Sequence, residues 1–500
     1  MAAVGMTPEV VWAGLRRDWC ELGKWKDREI GKDLDAWFEL VTTRRTQLEA
    51  YALEQGRHNR QDSAALIVIV ADAEPMDFLA GFWAGVLAGW TVALANPNWA
   101  KQEWQSVTDQ INPDTIWSSP CSTCSPIRPL IHSPTRPLQT APFILIPTGG
   151  TAGQLKFACH TWATLTAAVH GFRRHFQSDN APINSYCVLP LYHVSGLMQV
   201  MRTWLTGGQM VIAPFKDVSS QNPLSSQLAS ACLPPYTYLS LVPTQLARLV
   251  AAERFSWLRQ FHTVLLGGAP TWTALLNQAI KHQIPICLTY GMTETGAMVT
   301  AMRSQDFLQS VVSDRPSSGW PMPHATIQIE DSSRQLSTGE VGRVVVTSSA
   351  IAHGYHNLPS SSFKGQTFYT DDLGYLDSDG QLHITGRASS QIISGGENIF
   401  SSEVESALRS TGQLLDVCVV GLPDAVWGEV VSAAYVPLHP NVSIASLKLA
   451  LDKNGQISRY KYPKRWLALE SIPRNAQGKI NHQLLKMLFD SSASQSIDGQ

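Results

Sequence analysis

The chain has 500 residues, with 38 Lys and Arg against 40 Asp and Glu for a net charge of −2, so only 16% of it is charged, where an ordinary soluble domain carries about 25%. A charge this sparse and balanced gives no basic field for nucleic acid or an anionic membrane, and 44% hydrophobic content with 16 Trp supplies core for roughly two to four domains and excludes a disordered chain. With 35 Gly and 29 Pro near their average share, collagen-like and low-complexity classes are excluded too.

Along the chain, Arg16, Arg17 and Asp18 stand where a signal peptide would need its apolar run, so a cytoplasmic protein is expected. The cysteines at Cys20, Cys121, Cys124, Cys159, Cys187, Cys232, Cys287 and Cys418 are too scattered for a disulfide framework and fit a reducing compartment. The close pair Cys121-Ser-Thr-Cys124 has no second pair or HxxxH to complete a zinc site. From Phe78 to Ala95 the chain runs 18 residues without a charge, the minimum for a membrane span. We read it as a buried helix followed by the strand Thr91-Val-Ala-Leu, because Gly81, Gly85 and Gly89 recur every fourth residue, as suits a helix packed closely against a neighbour; the same small-residue spacing in a membrane helix is the competing reading. No membrane span is expected.

Short apolar runs alternate with helical stretches: Ala65–Val70, Phe143–Ile146, Cys187-Val-Leu, Met210-Val-Ile, Thr263–Leu266 and Ile286-Cys-Leu. Strands apolar throughout are buried on both faces, which predicts an α/β fold with largely parallel sheets. From about Ala325 the texture changes to hairpins, with Val344-Val-Val, Leu382-His-Ile and an Asp379-Gly380 turn between Tyr375 and His383. Ser402-Glu-Val-Glu405 reads as a capping box opening a helix, ahead of a strand at Val417–Val420. A boundary is placed near Arg387–Ser390, giving domains 1–388 and 389–500, and the polar stretch from Ser491 is expected to fray.

Because charge is scarce, isolated charges are informative, since an ion in apolar sequence needs a partner, water or a ligand. Lys156, Arg202, Arg248 and Glu294 each stand alone over long stretches, and for each the plain alternative is a pair across the fold or simple solvation. Lys156 ends Thr148-Gly-Gly-Thr-Ala-Gly-Gln-Leu-Lys156, after an apolar strand. Glycines there free backbone N–H groups for phosphate oxygens and the lysine adds charge, although the spacing is not that of the common nucleotide-triphosphatase loop. Glu294 follows a buried strand in Tyr290-Gly-Met-Thr-Glu294, at the kind of strand end where α/β proteins place ligands. A carboxylate there can hold Mg²⁺ and, through it, phosphates, and Tyr290 can offer a stacking face.

The phosphate loop, Tyr290–Glu294, Thr370-Asp-Asp372-Leu-Gly, Gly386-Arg387, Ser394-Gly-Gly-Glu397 and Pro473-Arg-Asn-Ala-Gln-Gly-Lys479-Ile together resemble the ordered signature set of the adenylate-forming acyl/aryl-CoA ligases. The resemblance implies a large N-terminal domain of packed, largely parallel sheets with helices, a small mobile α+β C-terminal domain, and two half-reactions: a carboxylate attacks MgATP to give acyl-AMP and pyrophosphate, then the CoA thiol attacks the acyl-AMP. It implies ATP, Mg²⁺ and CoA as co-substrates and cofactors, with a small carboxylic acid as partner. By the same resemblance Thr148, Gly149, Gly150, Thr151, Gly153 and Lys156 hold phosphate, Glu294 holds the metal, and Tyr290, Gly291, Thr293 and Gly268 line the nucleotide. Asp372 would accept the ribose hydroxyls, Arg387 approach from the domain junction, and Lys479 bridge the incoming carboxylate and the α-phosphate. Gly395 and Gly396 would let pantetheine pass close to the backbone, and Gly267 and Ala269 would line the acyl pocket. The sequence departs from the pattern at Ala152, Leu155, Asp371, where glycine is usual, and Ser389, where Asp or Lys is usual at the hinge.

Pro190-Leu-Tyr-His193-Val-Ser-Gly and Met201-Arg202-Thr-Trp-Leu resemble the branch of that family that activates 2-succinylbenzoate, an aromatic keto-diacid of menaquinone and phylloquinone biosynthesis. The second carboxylate of such an acid must be held, and Arg202 is a fitting counter-ion. Arg202 as a fold lock, and His193 as either a packed core histidine or a gate at the acyl pocket, stay open alternatives. Loading of a carrier protein and a non-catalytic nucleotide sensor are the other classes in play.

Overall fold

The computed structural model describes residues 7–22, 34–57, 66–118, 142–149, 155–176, 181–219, 233–309, 316–331, 334–394, 397–424, 426–474 and 480–495. Four sheets succeed one another along the chain. In the first, β1 (Ile67–Val70), β2 (Thr91–Leu94), β3 (Thr115–Trp117), β4 (Ile144–Gly149) and β5 (Leu155–His160) lie in the order β3-β1-β2-β4-β5, parallel except for the β4–β5 hairpin. The all-apolar β1 serves two cores at once: Val68 and Val70 face one cluster, Ile67 and Ile69 the other, which is why its sequence shows no polar alternation.

The uncharged run folds as a helix, Pro75–Ala88, followed by β2. Gly89 ends the helix in the left-handed region at φ 75°, donating its N–H to the Gly85 and Val86 carbonyls. The close neighbour of its glycines is the sheet: a Cβ would lie 3.0 Å from Val70 at Gly81 and 2.6 Å from Val92 at Gly85. Alanine at Gly85 would overpack this contact at a cost of about 1–3 kcal/mol. Trp83 meets Trp204 of the helix Val194–Thr206 with ring centres 5.0 Å apart. No helix of the described residues is long and apolar enough to cross a membrane.

The second sheet contains β6 (Asn184–Cys187), β7 (Met210–Ile212), β8 (Thr237–Leu241), β9 (Thr263–Leu266), β10 (Ile286–Met292), β11 (Ala297–Ala301) and β12 (Trp320–Pro321) in the order β12-β11-β10-β9-β8-β6-β7. Strands β6 to β10 run parallel, and β11 and β12 are antiparallel additions. The strand expected at Cys187–Leu189 lies earlier. Asn184 and Ser185 look like loop residues, yet their polar groups are satisfied inside: the Asn184 amide donates to the Pro235 carbonyl at 2.6 Å and Ser185 accepts from Thr203 at 2.9 Å, while Pro190 disfavours continuation.

A third, antiparallel sheet holds β13 (Ala325–Asp331), β14 (Arg334–Gln335), β15 (Gly342–Ser348), β16 (Phe363–Lys364), β17 (Thr367–Leu376) and β18 (Leu382–Arg387). Strands β17 and β18 form the expected hairpin, with Tyr375 opposite His383 and Gly380 at φ 77° in the turn. A 3₁₀ turn, Ala388–Ser390, then leads into a fourth sheet of β19 (Gln391–Ser394), β20 (Glu397–Phe400), β21 (Leu414–Asp424), β22 (Gly428–Pro437) and β23 (Arg465–Ala468). The capping box does not form. The helix opens two residues earlier, with Phe400 as N-cap and a span of Ser401–Arg409; the Ser402 hydroxyl donates to the Thr385 carbonyl, and Glu405 accepts the Val419 N–H at 2.9 Å and pairs with Arg409. The helix His482–Gln495 runs past Ser491, and residues 496–500 of the stretch expected to fray lie outside the described residues. Cys121 and Cys124 lie outside the described residues.

Candidate active site

Parallel strands in one sheet bring their carboxyl ends to one edge, and there β9 leads into Gly267–Ala269 and β10 into Tyr290–Glu294. Gly267 has no room for a side chain, since a Cβ would lie 2.4 Å from the Thr289 hydroxyl, and Gly268 takes φ 79°. Gly291 is equally constrained: a Cβ there would meet the Ala297 carbonyl oxygen at 1.9 Å, because β10 turns back tightly into β11 through Thr293–Thr295. This reversal places Gly296 at φ 65° and Ala297 at φ 84°, a strained setting for alanine that the surroundings must hold.

Thr148 and Lys156 face each other as register partners at the end of the β4–β5 hairpin, beside Gly149 opposite Leu155. Both therefore sit on strands, where the sequence suggested a loop beginning after Ile146. Gly150, Thr151 and Gly153, with Ala152, lie outside the described residues. From β5 the side chains of Lys156 and His160 project to the same face. Buried His160 binds the Thr293 carbonyl oxygen through Nε2 at 2.7 Å and reaches Thr164 at 3.0 Å with Nδ1. Burial pushes its pKa down to about 4, so it is a neutral ring donating to Thr293.

Buried Glu294 accepts a hydrogen bond through Oε1 from the Tyr355 hydroxyl at 2.8 Å. Among the described residues Oε2 has no partner of its own. A hard carboxylate oxygen of this kind could hold Mg²⁺ carried largely by phosphates and water; no cluster of three or more metal-ligating side chains occurs among the described residues. The Lys156 ammonium sits 5.0 Å from the centre of the Tyr355 ring.

Asp372 is buried and held from two sheets. Its Oδ2 accepts from the Tyr290 hydroxyl at 2.8 Å and its Oδ1 from Arg387 Nε at 2.9 Å, Arg387 being its register partner across β17 and β18. Burial, then the neighbouring Asp372 charge and hydrogen bond, push the Tyr290 phenol well above its ordinary pKa, so it stays a donor. A carboxylate has about four acceptor sites, so Asp372 keeps capacity to accept from the hydroxyls of a ligand. Two of the four departures from the family pattern meet next to it, the Ser389 hydroxyl donating to the Asp371 carboxylate.

His193 is the N-cap residue of the helix Val194–Thr206 and is half-buried, its ring 4.6 Å from that of Tyr192. Arg202 lies on the same helix, about 14 Å farther along at 1.5 Å per residue. It is 3% exposed, stacks over Phe172 at 4.3 Å, and has no carboxylate within ion-pair distance among the described residues. Burial lowers its pKa to about 10, and the ionisable groups around it are Tyr238, Cys187 and Cys287, all neutral at pH 7. The Tyr238 hydroxyl is itself buried, without a hydrogen-bond partner among the described residues. Arg248, by contrast, is simply solvated on an exposed helix face. Lys479, Gly395 and Gly396 lie outside the described residues.

The structure thus places Lys156 and Glu294 each against Tyr355 and joins Tyr290, Asp372 and Arg387. Sequence reasoning missed His160 and Tyr355; neither carries a local signal, because each acts on residues far away in the chain.

The profile of the AMP-binding enzyme family matches residues 50–356, and that of the AMP-binding enzyme C-terminal domain matches residues 403–479. The chain is 31% identical over 385 residues to the 2-succinylbenzoate–CoA ligase of Lactococcus lactis subsp. lactis (strain IL1403), covering 76% of this chain and 77% of that one. With the 2-succinylbenzoate–CoA ligase of Geobacillus sp. (strain WCH70) it shares 29% identity over 364 residues, 70% of each chain. Among solved structures, o-succinylbenzoate CoA synthetase of Bacillus subtilis in complex with an acyl-adenylate intermediate superposes with a TM-score of 0.71 at 24% identity, covering 85% of this chain and 91% of that one. ATP-bound MatB of Rhodopseudomonas palustris gives a TM-score of 0.72 at 22% identity, covering 90% and 93%. The chain belongs to the AMP-binding enzyme family.

Proposed function

We propose that this chain is an AMP-forming acid–thiol ligase that activates 2-succinylbenzoate with MgATP and transfers the acyl group to CoA, giving 2-succinylbenzoyl-CoA for menaquinone or phylloquinone biosynthesis. The observation that carries the choice of acid is Arg202, a guanidinium inside the core that no acid of the described residues neutralises. The ring carboxylate of the substrate would supply the missing charge, with the unpartnered Tyr238 hydroxyl beside it. The relatives named 2-succinylbenzoate–CoA ligase support the same reading.

In the first half-reaction an oxygen of the succinyl carboxylate attacks the α-phosphorus, and the bond to the bridging oxygen breaks to release pyrophosphate. Two anions must approach, so the protein's contribution is positioning and charge. Asp372 anchors the ribose, Arg387 and Lys156 bear on the phosphates, and Lys479 bridges carboxylate and α-phosphate. Bound at Glu294, Mg²⁺ would neutralise phosphate charge. In the second half-reaction the CoA thiol attacks the acyl carbon, losing its proton, and AMP departs. The turn Ala388–Ser390 is our boundary between domains 1–388 and 389–500, and Gly395-Gly396 our pantetheine passage. His193 is assigned as the gate of the acyl pocket, lined by Gly267 and Ala269. Buried free thiols at Cys159, Cys187, Cys287 and Cys418 support a reducing, cytoplasmic setting.

The test is pyrophosphate–ATP exchange across 2-succinylbenzoate, benzoate, 4-coumarate, acetate and a long-chain fatty acid. Exchange led by 2-succinylbenzoate, with a CoA thioester detected by mass, is the expected result. Preference for any other acid overturns the substrate, exchange without a CoA product points to carrier loading, and no exchange with any acid overturns the ligase reading.

A further inference from the structure

Tyr355 lies in a segment that belongs to none of the motifs read from the sequence, yet it touches both halves of the phosphate site. Its hydroxyl donates to Glu294 Oε1 at 2.8 Å. Its ring carries the Lys156 ammonium 5.0 Å from its centre, within reach of a cation–π attraction. Phe363 packs edge-on against that ring with centres 5.2 Å apart.

The backbone around Tyr355 is fixed to the same two elements. Tyr355 bridges to Ala158, the Cys159 N–H donates to the Gly354 carbonyl at 2.9 Å, and the His356 N–H donates to the Phe157 carbonyl at 2.8 Å, so the segment lies alongside β5, the strand that bears Lys156. On the other side the Ala352 N–H donates to the Glu294 carbonyl at 2.9 Å. A tyrosine anchored by its main chain to the lysine strand, and through Ala352, three residues before it, to the glutamate, fixes the separation of the two charges.

We propose that Tyr355 is the positioning residue of the phosphate site: it pins one oxygen of Glu294 so that the other is presented to the cation accompanying ATP, and it seats Lys156 on its ring. The inference rests on the MgATP reading of Glu294. Hydrogen bonding to the Tyr355 hydroxyl turns the carboxylate's orientation into a fixed one, which matters because Mg²⁺ tolerates little deviation from its octahedral geometry. Burial, followed by the adjacent Glu294 charge and hydrogen bond, raises the Tyr355 pKa, so the phenol remains a donor at any pH of interest.

Calorimetric titration of the full chain with ATP, in the absence of any acid and with or without Mg²⁺, separates the two roles without turnover. Tyr355→Phe keeps the ring and removes the hydroxyl. It should weaken MgATP binding about ten- to a hundredfold and leave Mg²⁺-free ATP within about twofold, the first being the size of a hydrogen bond to a charged group. Tyr355→Leu, losing the ring as well, should weaken both forms. Glu294→Gln is the reference variant and should lose most of the Mg²⁺ dependence. If Tyr355→Phe binds MgATP like the native chain while Glu294→Gln does not, the role of Tyr355 is overturned and the metal reading stands. If both bind MgATP normally, the metal reading falls and the inference with it. Equal weakening of both ATP forms by Tyr355→Phe marks a general packing role and also overturns the proposal.

Discussion

Replacing Arg202 by Met separates function from fold. The guanidinium is 3% exposed and its pKa falls from 12.5 to about 10 through burial. At about 1.4 kcal/mol per unit this is a penalty of about 3 kcal/mol on the charged form in the folded apo protein. Stacking on Phe172 offsets about 1–2 kcal/mol of it. Methionine has a similar stem and no charge, so Arg202→Met should leave the apo protein as stable as the native chain or slightly more so, as replacement of buried ions by apolar groups often does. Catalysis should move the other way. A ring carboxylate deprived of its charged hydrogen-bond donor loses about 3 kcal/mol, roughly a hundredfold in kcat/KM for 2-succinylbenzoate. The control acid is 3-benzoylpropionate, the same skeleton without the ring carboxylate, for which the variant should equal or exceed the native enzyme. Pyrophosphate exchange with both acids, beside a thermal melt without ligand, reads every quantity. A clear drop in melting temperature with both acids equally impaired would show that Arg202 locks the fold and would refute the substrate argument.

Three further outcomes are expected. Lys479→Ala should abolish adenylation while thioester formation from presynthesised acyl-AMP continues; stopped assays of each half-reaction check this, and equal loss of both would contradict the role assigned to Lys479. Burial holds His160, His175 and His324 near a pKa of about 4. Their folded values lie below the unfolded one, so stability is full above about pH 6.5 and is lost as pH falls towards 4, by about 2 kcal/mol for each histidine near pH 5. Melting temperature against pH should therefore drop over that window, and His324→Leu should make the drop shallower. For the hydrogen bond between Ser389 and Asp371, a double-mutant cycle with Ser389→Ala and Asp371→Gly, read as the ratio of the two half-reaction rates, should give a coupling of about 1 kcal/mol; additive effects would mean that the contact does not bear on the catalytic cycle.

The parallel strands and the motif at each strand end are legible in the sequence because both are local: β1, β9 and β10 announce themselves by apolar runs, and Tyr290–Glu294 by its position after one. What connects the motifs is not local. The Tyr355 hydroxyl reaches a carboxylate 61 positions away and His160 a carbonyl 133 positions away, and a single sequence carries no trace of either pairing. The misreadings share a cause. Asn184 and Ser185 look exposed until their partners in other elements are known, and Glu405 looks like a cap until the Val419 N–H claims it. Asp371 and Ser389 read as two separate departures from a pattern, and only the fold shows that they meet.

The clamp on Asp372 has one more consequence. Arg387 is the last residue of β18 and holds the Asp372 carboxylate, which on the proposed reading it would share with the ribose. An occupant that strengthens or loosens the Asp372–Arg387 contact therefore biases the path of the chain into the turn Ala388–Ser390 and the sheet beyond. Linkage makes such a bias reciprocal: the orientation that tightens nucleotide binding is the one the nucleotide itself favours. On the proposed reading, release of AMP and reorientation of the last 112 residues, 389–500, would be two readings of one equilibrium, metered by a single carboxylate.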